Sequence, residues 1–407
     1  ERMNAFCDVL VVGSGPAGLM AARSAAERGA RVILTELEAV PGGSANWSGE
    51  TIDGTPAAEW AAAQVADLRA RDNVRLLPRT TVWGYYDGNT LAAVEHVTNH
   101  KNAPAKGEPR HRHWTIRAQN VVLATGALER PLVFPGNDRP GIMLASAAQR
   151  LVNEFGVLSG EKIAIFANND SAYRAAHALK KAGAAIVAIV DPRRETSAAA
   201  LELAASVDGE HLTGHAVVAT EGGKQVSGIK VQRFDLAADA FSGEPRNLTV
   251  DCLLVSGGWS PTIHLASQAG SRPVWDDALQ AFLPPQPTQD WTAAGAITGS
   301  FSTQEALAQG SAAGGNATDL PTVEPDGLDP HPAPIIEIKA QGKSFVDHQH
   351  DVTADDVRLA HREGFVSVEH LKRYTTLGMA TDQGKTSNVP GLAIMAEVSG
   401  RTIAQTG

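Results

Sequence analysis

Apolar positions along this chain follow two rhythms. Residues 8–13 (DVLVVG) are continuously apolar, β-branched and closed by glycine, the pattern of a strand buried on both faces. Residues 16–29 then carry helical periodicity up to Gly29, and 31–36 (RVILTE) form a second apolar run. Strand, glycine-rich turn, helix and strand predict a right-handed βαβ unit. A helix is predicted near 57–71, followed by short strands at 74–77, 80–86, 91–97 and 114–118. The polar stretch 99–113 reads as a hairpin tip. A second βαβ pattern starts at 162–166 (KIAIF), continues through a helix near 171–182 and returns at 185–190. Mixed strands fill 215–256, and a strand near 292–295 with a helix near 303–317 leads back to the first domain.

This interleaving predicts an α/β fold of the two-dinucleotide-binding-domain flavoprotein type, with Rossmann-type βαβ domains and the second inserted in the first. The expected boundaries are 1–158 with 259–320 for the first domain and 159–258 for the insert. Residues 319–334 carry five prolines and read as a linker. With the charged, helical stretch 345–376 they suggest a linker and small helical module over 321–390. Residues 391–407 read as the start of a further domain. A nucleotide-binding strand by residue 8 and an apolar segment just before Gly407 both suggest a piece of a longer polypeptide.

Composition narrows the function. The chain has 407 residues, 43% hydrophobic and 20% charged, with a net charge of -10. That charge argues against nucleic acid as a main partner, and no apolar run reaches the ~20 residues that cross a bilayer. Cys7 and Cys252 form neither a disulfide framework nor a CxxC redox pair. The start at Glu1-Arg2-Met3 lacks a signal-peptide pattern, so a cytoplasmic location is expected. His100, His111 and His113 lack an acidic partner and regular ligand spacing, so they read as loop residues, and no metal site is expected.

Gly13-Ser14-Gly15-Pro16-Ala17-Gly18 matches G-x-G-x-x-G between strand and helix. Gly13 permits the tight turn, Gly15 lets backbone approach a pyrophosphate, and Gly18 lets the helix pack on the strand. The anion would meet the free N–H groups of the helix N-terminus. Glu36, 18 residues past Gly18, ends the second strand, where a carboxylate accepts from both ribose hydroxyls and repels a 2′-phosphate. Two more segments join the site: Pro41-Gly42-Gly43-Ser44 on the phosphate side, and Leu123-Ala124-Thr125-Gly126-Ala127 at a strand end. FAD-binding relatives usually end the returning strand in Gly-Asp. Here it reads Ala294-Gly295-Ala296-Ile297, and Ala296 can accept nothing from a ribityl hydroxyl. That favours NAD over the alternative, FAD.

The second turn, Ala167-Asn168-Asn169-Asp170-Ser171-Ala172, has lost its glycines and carries a carboxylate where an anion would dock. Asp170 is expected to cap the following helix, and Asp191 to be a surface turn residue. Pyridine-nucleotide binding is expected to be absent there. The remaining chain shows no triad, carboxylate pair or metal cluster, so no catalytic residue is assigned.

These segments, together with VVLATGALERPLVFPGNDRPGIM, LLVSGGWSPTIHLASQ and KSFVDHQHDVTADDVRLAHREGFVSVEHLKRYTTLGMATDQGKTSN, resemble the alpha subunits of heterotetrameric sarcosine oxidase. Related opine, proline and cyanide-forming oxidoreductases carry a cysteine-rich, iron–sulfur version of the last region. This chain has no cysteine after Cys252, so no cluster is expected. The resemblance implies an αβγδ complex that demethylates sarcosine to glycine, with FAD and covalent FMN in the beta subunit, FMN at the interface, and hydrogen peroxide as product. It implies NAD in the alpha subunit, and tetrahydrofolate on a C-terminal domain that lies outside this sequence. By position it places NAD contacts on Ala17, Glu36, Leu37, Glu38, Ser44, Val82, Ala296, Phe301 and Thr303. Glu38 departs from the basic residue expected there. A stand-alone FAD-dependent NAD(P)H oxidoreductase is the alternative reading.

Overall fold

The computed structural model describes residues 1–270, 272–317 and 319–407, which fall into two compact units. The first comprises 1–127, 261–274 and 282–325. Its sheet is built around β1 (Arg2–Val12), which pairs in parallel with β2 (Val32–Thr35) on one side and with the long strand His111–Leu123 on the other. Val74–Leu77 continues the parallel set beyond β2. The long strand changes partners along its length: His111–Arg117 pairs antiparallel with Thr90–His96, and Val121–Leu123 pairs in parallel with Trp291–Ala293. The chain therefore returns, nearly three hundred residues later, to the C-terminal end of the first βαβ, where open parallel sheets bind ligands.

Helix α1 (Pro16–Glu27) starts with proline at its first position, where the missing N–H costs no hydrogen bond. It is buried along most of its length, and its main neighbour is the helix Thr303–Gly314. The two meet at backbone distance. A Cβ added at Gly310 would lie 2.1 Å from the Ala17 carbonyl oxygen, and one at Gly314 would lie 2.3 Å from that of Ala21. Only glycine fits at these two positions.

The second unit comprises 128–260, 275–281 and 326–407. Its five-stranded parallel sheet runs Ile142–Leu144, Cys252–Ser256, Lys162–Ala167, Ala185–Asp191, Glu210–Thr213. An antiparallel meander, His215–Glu221, Gly228–Asp235 and Ala240–Leu248, accompanies it. The boundary expected at 158 is displaced to 127. Ile142–Leu144 hydrogen-bonds to Cys252–Ser256, so the short strand and the helix Ala145–Phe155 belong with the second sheet. A three-residue strand is too short to show a period.

Residues 345–399 form the small module. A hairpin (Phe345–Asp347, Val352–Thr353) leads into the helix Ala354–Arg362, whose start carries a reciprocal capping box between Thr353 and Asp356. The helices Val368–Thr375 and Asn388–Ser399 complete a core of Val346, Val357, Leu371, Leu377, Ile394 and Met395. The boundary expected at 390 cuts through Asn388–Ser399. That helix packs on Ala354–Arg362 and belongs to the module, rather than opening another domain.

Candidate dinucleotide-binding site

Gly13 adopts φ 98°, and a Cβ there would lie 2.3 Å from the Ala124 carbonyl oxygen. At Gly18 a Cβ would come within 1.9 Å of the Gly13 carbonyl. Gly15 is the residue preceding α1, with Pro16, Ala17 and Gly18 in the first turn, so unpaired N–H groups face outward beyond Gly15. Gly43, in the short 3-10 turn Gly43–Asn46, comes so close to Gly15 that a Cβ would sit 2.7 Å from its Cα. Ser44, next to it, is exposed. The two glycine loops thus form one cradle, lined by backbone.

Its rear wall is the end of the long strand. Ala124 donates its N–H to the Val12 carbonyl at 2.9 Å. The Thr125 hydroxyl donates to the Thr262 carbonyl at 2.7 Å, and Gly126 accepts from Thr262 N–H at 2.9 Å. From the returning segment, Gly295 (φ 81°) approaches Ala17 so closely that a Cβ would lie 2.9 Å from the Ala17 methyl. Ala296 follows in the 3-10 turn Gly295–Thr298, and its methyl adds no polar group. Phe301 is half-buried, and the Thr303 hydroxyl donates to Glu50 Oε2 at 2.8 Å.

At the opposite end Glu36 closes β2 with a buried carboxylate. Its Oε2 accepts from Ser14 N–H at 2.9 Å and from the Ser14 hydroxyl, and its Oε1 accepts from Glu38 N–H at 2.8 Å. Leu37 and Glu38 are exposed, with Leu37 at 63%. The strand Thr80–Tyr86 is tied to this point by Thr80 N–H donating to the Glu36 carbonyl at 2.7 Å, and it carries the half-buried Val82 two residues on.

Three residues that patterns alone had not assigned also shape the cradle. Ser14, fully buried, links Glu36 to the 41–44 loop by accepting from Gly42 N–H at 3.2 Å. Gln309 Oε1 accepts from Gly295 N–H at 2.8 Å and from the Thr298 hydroxyl at 3.0 Å, while its Nε2 donates to Ser300 Oγ at 2.7 Å. Glu50 receives Thr303. Gln309 and Glu50 reach the site from positions distant in sequence, so no local pattern marks them. Ser14 stood inside the glycine motif and could have been suspected from its position.

The donor set fits a dinucleotide. Backbone N–H groups and a helix N-terminus suit a pyrophosphate, and the carboxylate suits a ribose hydroxyl.

The corresponding turn in the second unit is filled by the protein itself. Asn169 Nδ2 donates to Ser256 Oγ at 2.9 Å, and Asn168 Nδ2 donates to the carbonyls of Ala333 and Ile335, both at 3.0 Å. Ala333 N–H returns a bond to the Asn168 carbonyl at 2.8 Å. The proline-rich segment therefore lies across the strand ends where a nucleotide would sit. Asp170 does not cap the helix Ser171–Lys181 with its side chain, contrary to expectation. Its carboxylate pairs with Arg193 at 2.8 Å and accepts from Asp329 N–H at 3.0 Å. Asp191 is not a surface residue either. It is fully buried, 2.7 Å from the Arg193 guanidinium, and accepts from the Tyr173 hydroxyl at 2.9 Å. Burial, reinforced by the Asp191 charge, pushes the Tyr173 phenol far above its ordinary range.

Elsewhere in this unit Glu129 is fully buried and accepts from Ser146 N–H at 2.7 Å. Burial raises its carboxyl to about 7. Arg130 donates to the Gly257 carbonyl at 3.1 Å, and burial lowers it to about 10. Both cysteines are buried, and burial pushes the Cys7 thiol up to about 12. Among the described residues no cluster of His, Cys, Asp or Glu could hold a metal ion, and no helix is long and apolar enough to cross a membrane.

Residues 7–279 match the pyridine nucleotide-disulphide oxidoreductase family, and residues 341–407 match the sarcosine oxidase A3 domain. Across 100% of its length the chain is 42% identical to the sarcosine oxidase subunit alpha of Rhizobium meliloti (strain 1021), covering 41% of that protein. It is also 42% identical to the subunit alpha of Corynebacterium sp. (strain P-1), covering 98% of the chain and 43% of the relative. The chain thus spans less than half the length of these relatives. The crystal structure of L-proline dehydrogenase from P. horikoshii superposes with a TM-score of 0.73 at 21% identity, covering 100% of this chain and 77% of that one, which shows a shared fold. A glycine cradle on the first sheet, a second βαβ unit and a cysteine-free terminal module thus have one common setting: the chain belongs to the pyridine nucleotide-disulphide oxidoreductase family and is a homologue of the sarcosine oxidase alpha subunits.

Proposed function

We propose that this chain is the NAD-binding portion of an alpha subunit in a heterotetrameric sarcosine oxidase. NAD is held at the first glycine turn. Oxidative demethylation of sarcosine takes place at FAD and covalent FMN of the beta subunit, and gamma and delta subunits complete the assembly. Hydrogen peroxide is the product in oxygen. Transfer of the one-carbon unit to tetrahydrofolate belongs to a domain outside residues 1–407. The setting is cytoplasmic.

The observation that carries the cofactor assignment is Ala296. The returning segment brings a methyl group, with no acceptor, to the place where a ribityl-binding carboxylate would stand, while the pyrophosphate and ribose ends of the cradle are complete. The chain's own residues hold and orient the dinucleotide: Gly13, Gly15 and Gly18 admit it, Gly43 and Ser44 flank it, and Glu36 accepts from it. None supplies an acid, base or nucleophile to the amine. A stand-alone FAD-dependent NAD(P)H oxidoreductase would need an open second turn, and there Asn168, Arg193 and the segment 329–335 fill the space.

The deciding measurement is the mass of the compound released when the purified chain is heat-denatured. NAD, from a colourless protein, is expected. Release of FAD from a yellow protein would overturn the assignment.

A further inference from the structure

The hydrogen bonds around Glu36 constrain how it reads a ribose, which deepens the proposed dinucleotide binding and rests on it, though not on the choice between NAD and FAD. An ionised carboxylate offers roughly four acceptor positions, two on each oxygen. Oε2 receives both the backbone N–H and the hydroxyl of Ser14, and Oε1 receives Glu38 N–H. The Ser14 hydroxyl is not free to turn away: its oxygen accepts from Gly42 N–H, so its hydrogen points at Glu36. Ser14 is fully buried and Glu36 is 7% exposed, so bulk water does not compete at Oε2. One acceptor position remains, on Oε1.

We infer that Glu36 recognises the adenosine ribose through a single hydroxyl of its cis-diol, with the Ser14 hydroxyl occupying the place the second would take. Ser14 is then a positioning residue. The chain Gly42 N–H, Ser14 hydroxyl, Glu36 carboxylate connects the phosphate-side loop to the ribose end, and it sets which hydroxyl is read.

The test uses nucleotide-free full chain titrated calorimetrically with ADP-ribose and with its adenosine-side 2′-deoxy and 3′-deoxy forms. One deoxy compound should bind at least ~10-fold more weakly than ADP-ribose, the loss of one bond to a charged acceptor, while the other stays within ~3-fold. Ser14→Ala frees the second position on Oε2, and both deoxy compounds should then lose ~10-fold relative to ADP-ribose. Ser14→Thr, which keeps the hydroxyl, should restore the one-sided pattern. Equal losses for the two compounds in the native chain would overturn the inference alone, as would an unchanged one-sided pattern in Ser14→Ala. If Ser14→Ala does not fold, the native chain and Ser14→Thr still decide. Failure of ADP-ribose itself to bind the native chain would overturn the dinucleotide reading and the inference with it.

Discussion

The two βαβ turns of this protein share a topology and differ in what fills them. At 13–18 the side chains are hydrogen or methyl apart from Ser14 and Pro16, and backbone lines an open cradle. At 167–172 alanine and asparagine replace the glycines and a carboxylate stands where an anion would dock, a guanidinium neutralises two buried carboxylates, and a distant segment of the same chain lies over the strand ends. The first arrangement leaves donors unpaired for a ligand, and the second pairs its amides and carboxylates with groups of the same chain. A Rossmann-type turn therefore does not signify a nucleotide by its topology. The decisive property is whether the protein has already consumed the hydrogen bonds that the ligand would make.

The strongest way to break this contrast is to close the open turn. Gly18→Ala places a methyl 1.9 Å from the Gly13 carbonyl, where neither backbone nor helix can yield. We expect complete loss of retained dinucleotide and at least about 3 kcal/mol of lost stability, measured by ligand stoichiometry and urea unfolding. An undiminished stoichiometry would remove Gly18 from the site.

Unbalancing the filled turn comes next. Arg193→Met strands Asp170 and Asp191 as buried charges, and unfolding free energy should drop by about 3–5 kcal/mol. Adding Asp170→Asn and Asp191→Asn should recover much of it. If the single variant were as stable as the native chain, the network would not be what holds the second turn.

Glu129 sharpens the comparison, being a buried carboxylate in the same unit that is not among the groups Arg193 neutralises. Its carboxyl is raised from an ordinary 4.5 to about 7, so the fold favours the neutral form. That contribution is fully present below pH 4.5 and is lost as pH rises to about 7, a difference of about 3 kcal/mol. Glu129→Gln should flatten the stability profile over this window. An unchanged slope would mean that the carboxyl titrates normally.

The smallest effect expected is at Gln309. Replacing it by leucine removes three hydrogen bonds to the 295–300 loop. Dinucleotide dissociation should speed up roughly 10-fold, with a stability loss of only about 1–2 kcal/mol. Stopped-flow release and thermal unfolding would separate the two. A large stability loss with unaltered release would make Gln309 purely structural.

The first turn was legible in the sequence because its requirements are local. Gly13 and Gly18 exclude a Cβ within a few residues of themselves, and Glu36 ends the adjoining strand. The missing glycines of the second turn were legible in the sequence, but its filling was not. Asp170 meets Asp329 across 159 positions, and Asn168 meets Ile335 across 167, and no periodicity reports such pairs. Hence Asp170 read as a cap and Asp191 as a surface residue. The boundary at 127 was hidden for a related reason: Ile142–Leu144 is a strand only because Cys252–Ser256 lies beside it.

The contact of Gly310 and Gly314 with Ala17 and Ala21 also bears on the order in which the protein is made. The glycine turn leaves the ribosome before the surface that holds its helix in place, which is synthesised some three hundred residues later. Until then the nascent first domain lacks both that helix and the strand Trp291–Ala293. A cofactor that binds through residues 13–18 thus meets its finished site only after residues 291–314 have been made, on a chain whose second unit has already had the chance to fold around its own sheet.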